Sequence, residues 1–260
     1  MDFHGKTALI TGASSGIGLE FANTVARGGG GVILVARSAD KLAQIATELS
    51  GSYGVRAEVV VADLSLPGAA DEVVAQVERS GLEVDLLVNN AGFGTHGLLA
   101  DADPARIREE VSLNVGALTD LTTAYLHTMT KRGSGAIINV ASTAALQPIP
   151  RMAVYGATKA YVLALSEALW WEGKQKGVKV MALCPGATDT EFFQVVGSDD
   201  ASVGARRTTR QVVETAFKAL DSGAPSVVDG WQNRISGLAS RLAPRRLVIA
   251  IAERAVRPAK

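Results

Sequence analysis

Short runs of apolar residues alternate along the chain with longer stretches in which apolar positions recur at helical spacing. Each short run is rich in β-branched residues or leucine and has turn residues nearby, as is typical of strands buried in a parallel sheet. The runs are Thr7–Thr11, Val32–Ala36, Ala57–Ala62, Val84–Asn89, Ala136–Ala141, Val178–Cys184 and Ser226–Val228. The longer stretches predict helices at about 16–28, 39–50, 68–80, 104–132, 152–176 and 209–222. This alternation predicts an α/β fold, a doubly wound, mostly parallel seven-stranded sheet with helices on both faces.

The helix over 104–132 carries the clearest boundary signals. Asp103 before Pro104 predicts its first turn, and Gly133 predicts its end. No internal repeat, low-complexity tract or linker interrupts the chain, so residues 1–260 are expected to form a single domain. A hydrophobic fraction of 47% over 260 residues supplies a full apolar core and argues against disorder.

Charge and cysteine content exclude several classes of function. The 26 basic and 26 acidic side chains cancel, which argues against a nucleic-acid partner. Cys184 is the single cysteine, so an intrachain disulfide and a Cys-rich metal site are both excluded, and the three dispersed histidines predict no metal site. The N-terminus lacks the pattern of a signal peptide and no apolar stretch approaches the ~18 residues of a spanning helix. We therefore expect a cytoplasmic protein.

Residues 230–260 form a basic C-terminal extension of predicted helices, with seven basic residues and one acidic residue. Apolar residues recur along it at helical spacing. They are Ile235, Leu238 and Leu242, followed by Leu247 and Ile251. We expect this stripe to pack on the domain or on a partner subunit, because such stripes usually face a core. The alternative is a basic amphipathic segment that contacts a membrane surface.

The first predicted strand runs into a glycine-rich turn at Gly12, Gly16 and Gly18, and a helix follows. Glycines permit a tight turn and a close approach of a pyrophosphate, which the free N–H groups of the helix then bind. The stretch Gly12–Gly16 also fits the G-x-S-x-G elbow of serine hydrolases. That alternative is disfavoured, because the turn follows the first strand and no histidine comes after His127.

The end of the second predicted strand indicates which dinucleotide binds. An NAD site usually has a carboxylate there for the ribose 2′-hydroxyl, whereas this chain has Ala36, Arg37 and Ser38. An arginine can pair with the 2′-phosphate of NADP. The pattern favours NADP(H) over NAD(H), and the alternative is that Arg37 is a solvated surface charge.

Tyr155 and Lys159 lie one helical turn apart in the first turns of a predicted helix. The two side chains therefore share a face, where an ammonium would lower the pKa of the phenol. Ser142 directly follows the fifth predicted strand, at the sheet edge where ligands bind. Asn114 lies mid-helix, where asparagine is unfavourable, and it either points to solvent or anchors a water behind Lys159.

In these motifs the chain resembles the short-chain dehydrogenase/reductase family. The match covers roughly residues 5 to 228 in the family's order and spacing. It runs through Thr11-Gly12-x-x-x-Gly16-x-Gly18, Asp63, Asn89-Asn90-Ala91-Gly92, Asn114, Ser142, Tyr155-x-x-x-Lys159 and Pro185-Gly186-x-Thr188. The resemblance implies a Rossmann-type fold and direct hydride transfer between a nicotinamide and a carbonyl or secondary alcohol, without a metal.

The resemblance also implies a role for each matching residue. Tyr155 is the general acid/base, Lys159 binds the nicotinamide ribose and lowers the pKa of Tyr155, Ser142 orients the substrate oxygen, and Asn114 supports a water relay. The implied cofactor-binding residues are Gly12, Ser14, Ser15, Gly16, Ile17, Gly18, Arg37, Asp63, Leu64, Asn90, Ala91, Gly92, Tyr155, Lys159, Pro185, Gly186, Thr188 and Thr190. The candidate substrate-lining residues are Phe93, Leu146, Ile149, Met152, Phe192 and Phe193.

Because most of those lining residues are apolar, we expect an apolar or mixed carbonyl compound as substrate. An alternative function is a non-catalytic NADP-binding regulator of the same fold, which would not require Ser142, Tyr155 and Lys159 together. The chain departs from the commonest family pattern at its basic C-terminus, which puts the usual tetramer in doubt. A homodimer through the helices at 104–132 and 152–176 is expected, with a tetramer as the alternative, and Trp170 and Trp171 lie either at that interface or buried within the domain.

Overall fold

A sheet of seven parallel strands forms the centre of the protein in a computed structural model that describes residues 2–192 and 206–256. The strands are β1 (Thr7–Thr11), β2 (Gly31–Ala36), β3 (Ala57–Val61), β4 (Leu86–Asn89), β5 (Gly135–Val140), β6 (Val178–Cys184) and β7 (Ser226–Val228). Their order is β3-β2-β1-β4-β5-β6-β7, and every neighbouring pair is parallel. The predicted doubly wound α/β fold is confirmed; three strands have the predicted bounds, and the other four differ by one or two residues at one or both ends.

Helices connect the strands and cover the sheet. They are α1 (Gly16–Arg27), α2 (Ala39–Tyr53), α3 (Ala69–Arg79), α4 (Pro104–Val111), α5 (Leu118–Arg132), α6 (Ala153–Lys174), α7 (Thr209–Ser222), α8 (Trp231–Leu242) and α9 (Arg245–Ala255). The single helix predicted over 104–132 is divided by a π-helical turn at Ser112–Ala117. Its boundary signals are confirmed, because the Asp103 side chain accepts from the backbone N–H of Ala105 and Gly133 adopts a left-handed φ of 75°.

Alternate residues of each central strand pack on opposite faces of the sheet. Ile10 packs with Phe21 of α1 and Phe217 of α7, whereas its neighbour Leu9 packs with Leu121 of α5. The chain therefore places α1, α2 and α7 on one face and α3, α5 and α6 on the other. Strand order reverses between β1 and β4, and in such sheets the crevice at the carboxyl ends of these strands binds ligands.

The C-terminal helices α8 and α9 contact the domain through a face that the sequence did not predict. Their buried residues are Gly237, Ser240, Val248 and Ala252. The apolar stripe of Ile235, Leu238, Leu242, Leu247 and Ile251 is instead exposed, by 52% to 80%. The stripe therefore does not pack on the domain, because the helices dock through another side, and its packing on a partner subunit stays a prediction.

Neither tryptophan of α6 is fully buried. Trp171 is 61% exposed, so its burial within the domain is excluded, while Trp170 is partly covered and donates to the carbonyl of Gly223 at 2.8 Å. Among the described residues, no helix has the length and apolar character needed to cross a bilayer.

Candidate active site

A cavity of about 730 Å³ opens along the carboxyl edge of the sheet, beside the β1–β4 reversal. Seventeen of the eighteen predicted cofactor-binding residues line it, from the glycine turn through Asp63 and Asn90 to Thr190. Gly18 does not line the cavity, because it lies behind the turn. Ser142, Tyr155 and Lys159 also line the cavity, so the structure brings these predicted residues into one space.

The glycine-rich turn has no room for side chains at two positions. Gly12 adopts a left-handed φ of 64°, and a Cβ there would lie 2.8 Å from Nδ2 of Asn90. A Cβ on Gly18 would overlap the carbonyl oxygen of Gly12 and lie 2.5 Å from the same Nδ2. The turn is thus a cradle built of backbone at the N-terminus of α1, which suits a pyrophosphate.

Thr11 fixes the turn against the loop that follows β4. Its Oγ1 accepts hydrogen bonds from the backbone N–H groups of Asn90 and Ala91, each at 2.9 Å. The side-chain amide of Asn90 in turn donates to the carbonyl of Thr11 at 2.9 Å. Two walls of the cavity are therefore held together by one buried hydroxyl and one amide.

Arg37 and Asp63 lie at the far end of the cavity, where β2 and β3 end. The Asp63 carboxylate accepts from the hydroxyl of Ser65 at 2.6 Å and from its backbone N–H at 3.0 Å, and this bonding lowers the pKa of Asp63. Nη1 of Arg37 is 4.0 Å from Asp63, while its side chain is 77% exposed. The guanidinium thus stands at the rim with its charge only loosely paired.

Tyr155 lies in the first turn of α6 and is only 8% exposed. Its ring packs 5.5 Å from the ring of Phe192, and a Cβ on Gly94 would lie 3.0 Å from its Cδ2. Burial raises the pKa of Tyr155 to about 12, and a hydrogen bond with Ser142 opposes this rise in part. The expectation that Lys159 makes this phenol unusually acidic is wrong for the protein alone.

Lys159 is 4% exposed, and its Nζ donates to the carbonyl of Val140 at 2.8 Å. The same Nζ is 5.9 Å from the ring centre of Tyr155. Burial lowers the pKa of Lys159 to about 8. For both side chains, desolvation changes the pKa more than the attraction between ammonium and phenolate, on which the prediction from the sequence depended.

Asn114 is fully buried in the π-helical turn, so the alternative that it points to solvent is excluded. Its amide donates to the carbonyl of Phe93 at 2.8 Å and to Oγ1 of Thr158 at 3.1 Å, and its Oδ1 accepts from the N–H of Phe93 at 3.1 Å. It does not line the cavity. It braces the loop after β4 against α6, one residue before Lys159.

The other end of the cavity is largely apolar. Phe93, Leu146, Ile149, Met152 and Phe192 line it as predicted, and Phe193 lies outside the described residues. The C-terminal helices also contribute a wall that the sequence analysis missed. It consists of Asn233, Ser236, Gly237, Ile251, Ala252, Ala255 and Val256.

Three polar contacts attach this C-terminal wall to the rest of the site. A ring nitrogen of His96 lies 2.8 Å from the carbonyl of Val256, so this histidine connects the loop after β4 to the C-terminal end of the chain. Arg151 lies 3.7 Å from Glu253, and the hydroxyl of Ser240 donates to the carbonyl of Leu146 at 3.4 Å. No motif marks these pairs, because their partners lie far apart in sequence.

The sequence analysis also gave no indication that Glu110 is buried. Its side chain is fully buried on α4, and burial raises the pKa of its carboxyl, with Thr95 and Arg106 opposing the rise. In the sequence it is indistinguishable from the exposed Glu109 beside it. Among the described residues, no group of acidic, histidine or cysteine side chains is arranged to hold a metal ion.

Comparison with known proteins places these features in a family. A model of the short chain dehydrogenase family matches residues 6–201. This chain belongs to the short-chain dehydrogenase/reductase family. The Mus musculus very-long-chain 3-oxoacyl-CoA reductase is 30% identical over 240 residues, which cover 85% of this chain and 76% of that protein.

Solved structures of the family share the whole architecture. A short-chain dehydrogenase from Sphingobium yanoikuyae in complex with NADPH is 33% identical, with a TM-score of 0.82 over 91% of this chain and 94% of that one. A structure described for 7beta-hydroxysteroid dehydrogenase stereoselectivity is 29% identical, with a TM-score of 0.88 over 97% of this chain and 99% of that one. The protein is therefore an oxidoreductase of this family with a nicotinamide-cofactor fold.

Proposed function

We propose that the protein is an NADP(H)-dependent reductase of an apolar ketone or aldehyde, in which Tyr155 is the general acid. The observation that carries this proposal is the layout of the cavity. A backbone cradle and Arg37 occupy one end, Ser142, Tyr155 and Lys159 lie along its wall, and apolar side chains line the other end. The first part would suit the phosphates of a dinucleotide, the second the reacting carbonyl group, and the third the apolar body of the substrate.

The chain's residues fit a dinucleotide. The crowded glycine turn would hold the pyrophosphate, Asp63 and Leu64 would flank the adenine end, and Lys159 would contact the ribose beside the nicotinamide. When bound, the cofactor supplies the hydride. The chain must then hold the carbonyl, provide its proton and keep water out.

Tyr155 and Ser142 supply the proton and the alignment. Ser142 and Tyr155 line the same wall of the cavity, and Ser142 is close enough to oppose the rise in the pKa of Tyr155, so one carbonyl oxygen can receive a hydrogen bond from both hydroxyls. As negative charge grows on that oxygen, Tyr155 transfers its phenolic proton to it. Lys159, whose Nζ is 5.9 Å from the centre of the Tyr155 ring, would help to replace the proton, with Asn114 in the supporting role that the family resemblance implies.

The pKa values indicate the protonation states from which reduction would start. With a pKa near 12, Tyr155 is protonated at neutral pH and ready to act as an acid. Oxidation would require its phenolate, which burial disfavours. Lys159, with a pKa near 8, is mostly charged at neutral pH, so its charge can stabilise the phenolate that proton transfer leaves behind.

The proposed substrate is a large apolar carbonyl compound. The wall of Leu146, Met152 and Phe192 is extended by Ala252 of α9 and by Val256, which directly follows that helix, and this gives the substrate end an apolar surface on several sides. The similar proteins named for 3-oxoacyl-CoA and steroid substrates agree with a lipid-like ketone. Burial of apolar surface would supply most of the affinity.

Tyr155→Phe tests the proton-transfer assignment. We expect kcat/KM for ketone reduction, followed by NADPH absorbance, to fall about 10²- to 10⁴-fold, because the acid is removed while the ring remains. NADPH affinity should change less than about threefold. Tyr161→Phe, on the same helix and 39% exposed, is the matched control and should keep its activity.

Two results would contradict this assignment. Unchanged turnover in the Tyr155→Phe protein would remove Tyr155 from the chemistry. A wild-type protein that binds NADPH tightly but oxidises it with no ketone or aldehyde in a broad panel would favour the non-catalytic regulator instead.

Arg37→Ala tests the NADP preference. Loss of a charge-assisted contact with the 2′-phosphate costs about 1.5–3 kcal/mol, so NADPH affinity should fall about 10- to 100-fold and NADH affinity should hardly change. Arg210→Ala, an exposed arginine on α7, is the control. Equal losses for both cofactors in the Arg37 variant would refute the phosphate contact.

A further inference from the structure

The outer face of α8 carries a continuous row of exposed apolar side chains. We call Trp231, Ile235, Leu238 and Leu242 the outer stripe, and their exposed fractions are 69%, 61%, 62% and 80%. Monomeric soluble proteins scatter such residues singly, whereas contiguous rows mark contact surfaces. Leu247, on α9, adds a further exposed apolar side chain at 52%.

The geometry of α8 separates the outer stripe from the docked side. At about 100° per residue, its four positions fall within about 60° of one another around the helix axis. The buried residues Gly237 and Ser240 lie on nearly the opposite side. Because α8 is already packed through those small residues, the outer stripe is available for a second surface without any rearrangement of the helix.

The charges around the outer stripe are almost all positive. Arg234 flanks it on α8, and Arg245, Arg246 and Arg254 are exposed on α9. Glu253 is the single acidic residue of 230–260, and it pairs with Arg151 at 3.7 Å on the inner side. An apolar row bordered by arginines complements a surface that is apolar inside and anionic outside.

We propose that the outer face of α8 and α9 binds the surface of an anionic lipid membrane, with the outer stripe inserted at the level of the headgroups. Arginine stems can lie along the apolar layer while their guanidinium groups reach lipid phosphates. Trp231 begins the stripe, and tryptophan favours this interface. The inference rests on this face alone and not on the proposed reaction.

A second copy of the chain fits this face less well. Symmetric contact through the outer stripe would set the basic surface that contains Arg234 against the same basic surface of the other copy. With Glu253 occupied by Arg151, α8 and α9 offer these charges no other acidic side chain. Like charges at such an interface would oppose association, whereas anionic lipid would neutralise them.

Flotation with vesicles tests the proposal. The full-length protein is mixed with vesicles of phosphatidylcholine alone, or with 30% phosphatidylserine (about one lipid in three), and centrifuged through a density gradient. We expect at least about fivefold more protein to float with the anionic vesicles at low salt, and less as salt rises. Leu238→Asp combined with Leu242→Asp should abolish flotation, while Trp171→Ala, an equally exposed apolar residue on α6, should not.

A fluorescence measurement locates the contact. The chain has three tryptophans, so Trp170→Phe combined with Trp171→Phe leaves Trp231 as the reporter. Its emission should shift to shorter wavelength with anionic vesicles and stay unchanged with neutral ones. Absence of flotation would overturn the proposal, as would flotation that survives the double aspartate change. A change of oligomeric mass in that variant, without vesicle binding, would assign the face to a second copy.

NADPH binding and a circular dichroism melt keep these outcomes interpretable. Both substituted leucines are exposed and neither lines the cavity, so the double aspartate variant should match the wild type in both measurements. Loss of flotation with unchanged cofactor binding then reports on the surface, whereas a failed ketone assay would concern the proposed reaction alone.

Discussion

Replacing Lys159 by Met should make the protein more stable at neutral pH while it abolishes turnover. The pKa of Lys159 falls from 10.5 to about 8 on folding, and each pKa unit corresponds to about 1.4 kcal/mol, so burial of the charged form costs about 3 kcal/mol. Methionine has a similar length and carries no charge. The variant also loses the hydrogen bond to the carbonyl of Val140, which destabilises it by about 1–2 kcal/mol and offsets part of this gain. We therefore expect the variant to gain about 1–2 kcal/mol at pH 7.

The pH dependence of this difference is the sharper test. Between pH 8 and pH 10.5 the unfolded state holds the lysine proton and the folded state has lost it, so wild-type stability rises with pH relative to the variant. From pH 8 to pH 10 the advantage of the variant should shrink by about 2 kcal/mol. Urea unfolding without cofactor, at pH 7 and at several values from pH 8 to pH 10, gives the stability difference between the two proteins and its change with pH. The control is Lys218→Met, because Lys218 is an exposed lysine on α7. A difference that stays constant over this range would refute the assigned pKa of Lys159.

Two further changes test how the cofactor cradle is built. Thr11→Val removes the acceptor of two backbone N–H groups and keeps the side chain nearly the same shape. The free energy of unfolding should therefore fall by about 1–3 kcal/mol, and NADPH affinity should also fall. The control, Thr47→Val at an exposed position, should change neither quantity much. Gly18→Ala forces a Cβ onto the carbonyl of Gly12, so NADPH affinity measured by titration should fall at least about tenfold. The control is Gly51→Ala, on α2 with open space around it, which should raise the free energy of unfolding by about 0.5–1 kcal/mol. Normal NADPH affinity in either cradle variant would contradict the role of the turn.

Motifs with local geometry could be predicted well from the sequence. The glycine turn, the start of α4 at Asp103 and the one-turn spacing of Tyr155 and Lys159 depend on neighbours in the chain, and the structure places all of them as expected. The interruption before α5 was less visible, although Asn114 in mid-helix was its signal. An asparagine whose amide binds the carbonyl of Phe93 has a partner 21 residues away, and no helical periodicity encodes that.

The pKa of Tyr155 shows why electrostatics is harder to predict than placement. Spacing alone says that an ammonium is near a phenol, and this predicts a lower pKa. The opposite sign results from burial, which depends on how Phe192, Gly94 and the loops around them close over the ring. Those contacts join residues from separate parts of the chain. The cost of solvent exclusion is therefore a property of the folded cavity, and a motif cannot report it.

The C-terminal helices show the same limit for amphipathic patterns. A stripe of Ile235, Leu238 and Leu242 has the same periodicity whether it faces a core or an external surface, so the pattern fixes the helix and leaves its orientation open. The orientation is decided by Gly237 and Ser240, because small residues let α8 approach Leu146 closely. With that side closed, the apolar side must face outward. The basic residues that border it, rather than the stripe itself, then determine what kind of surface it can meet.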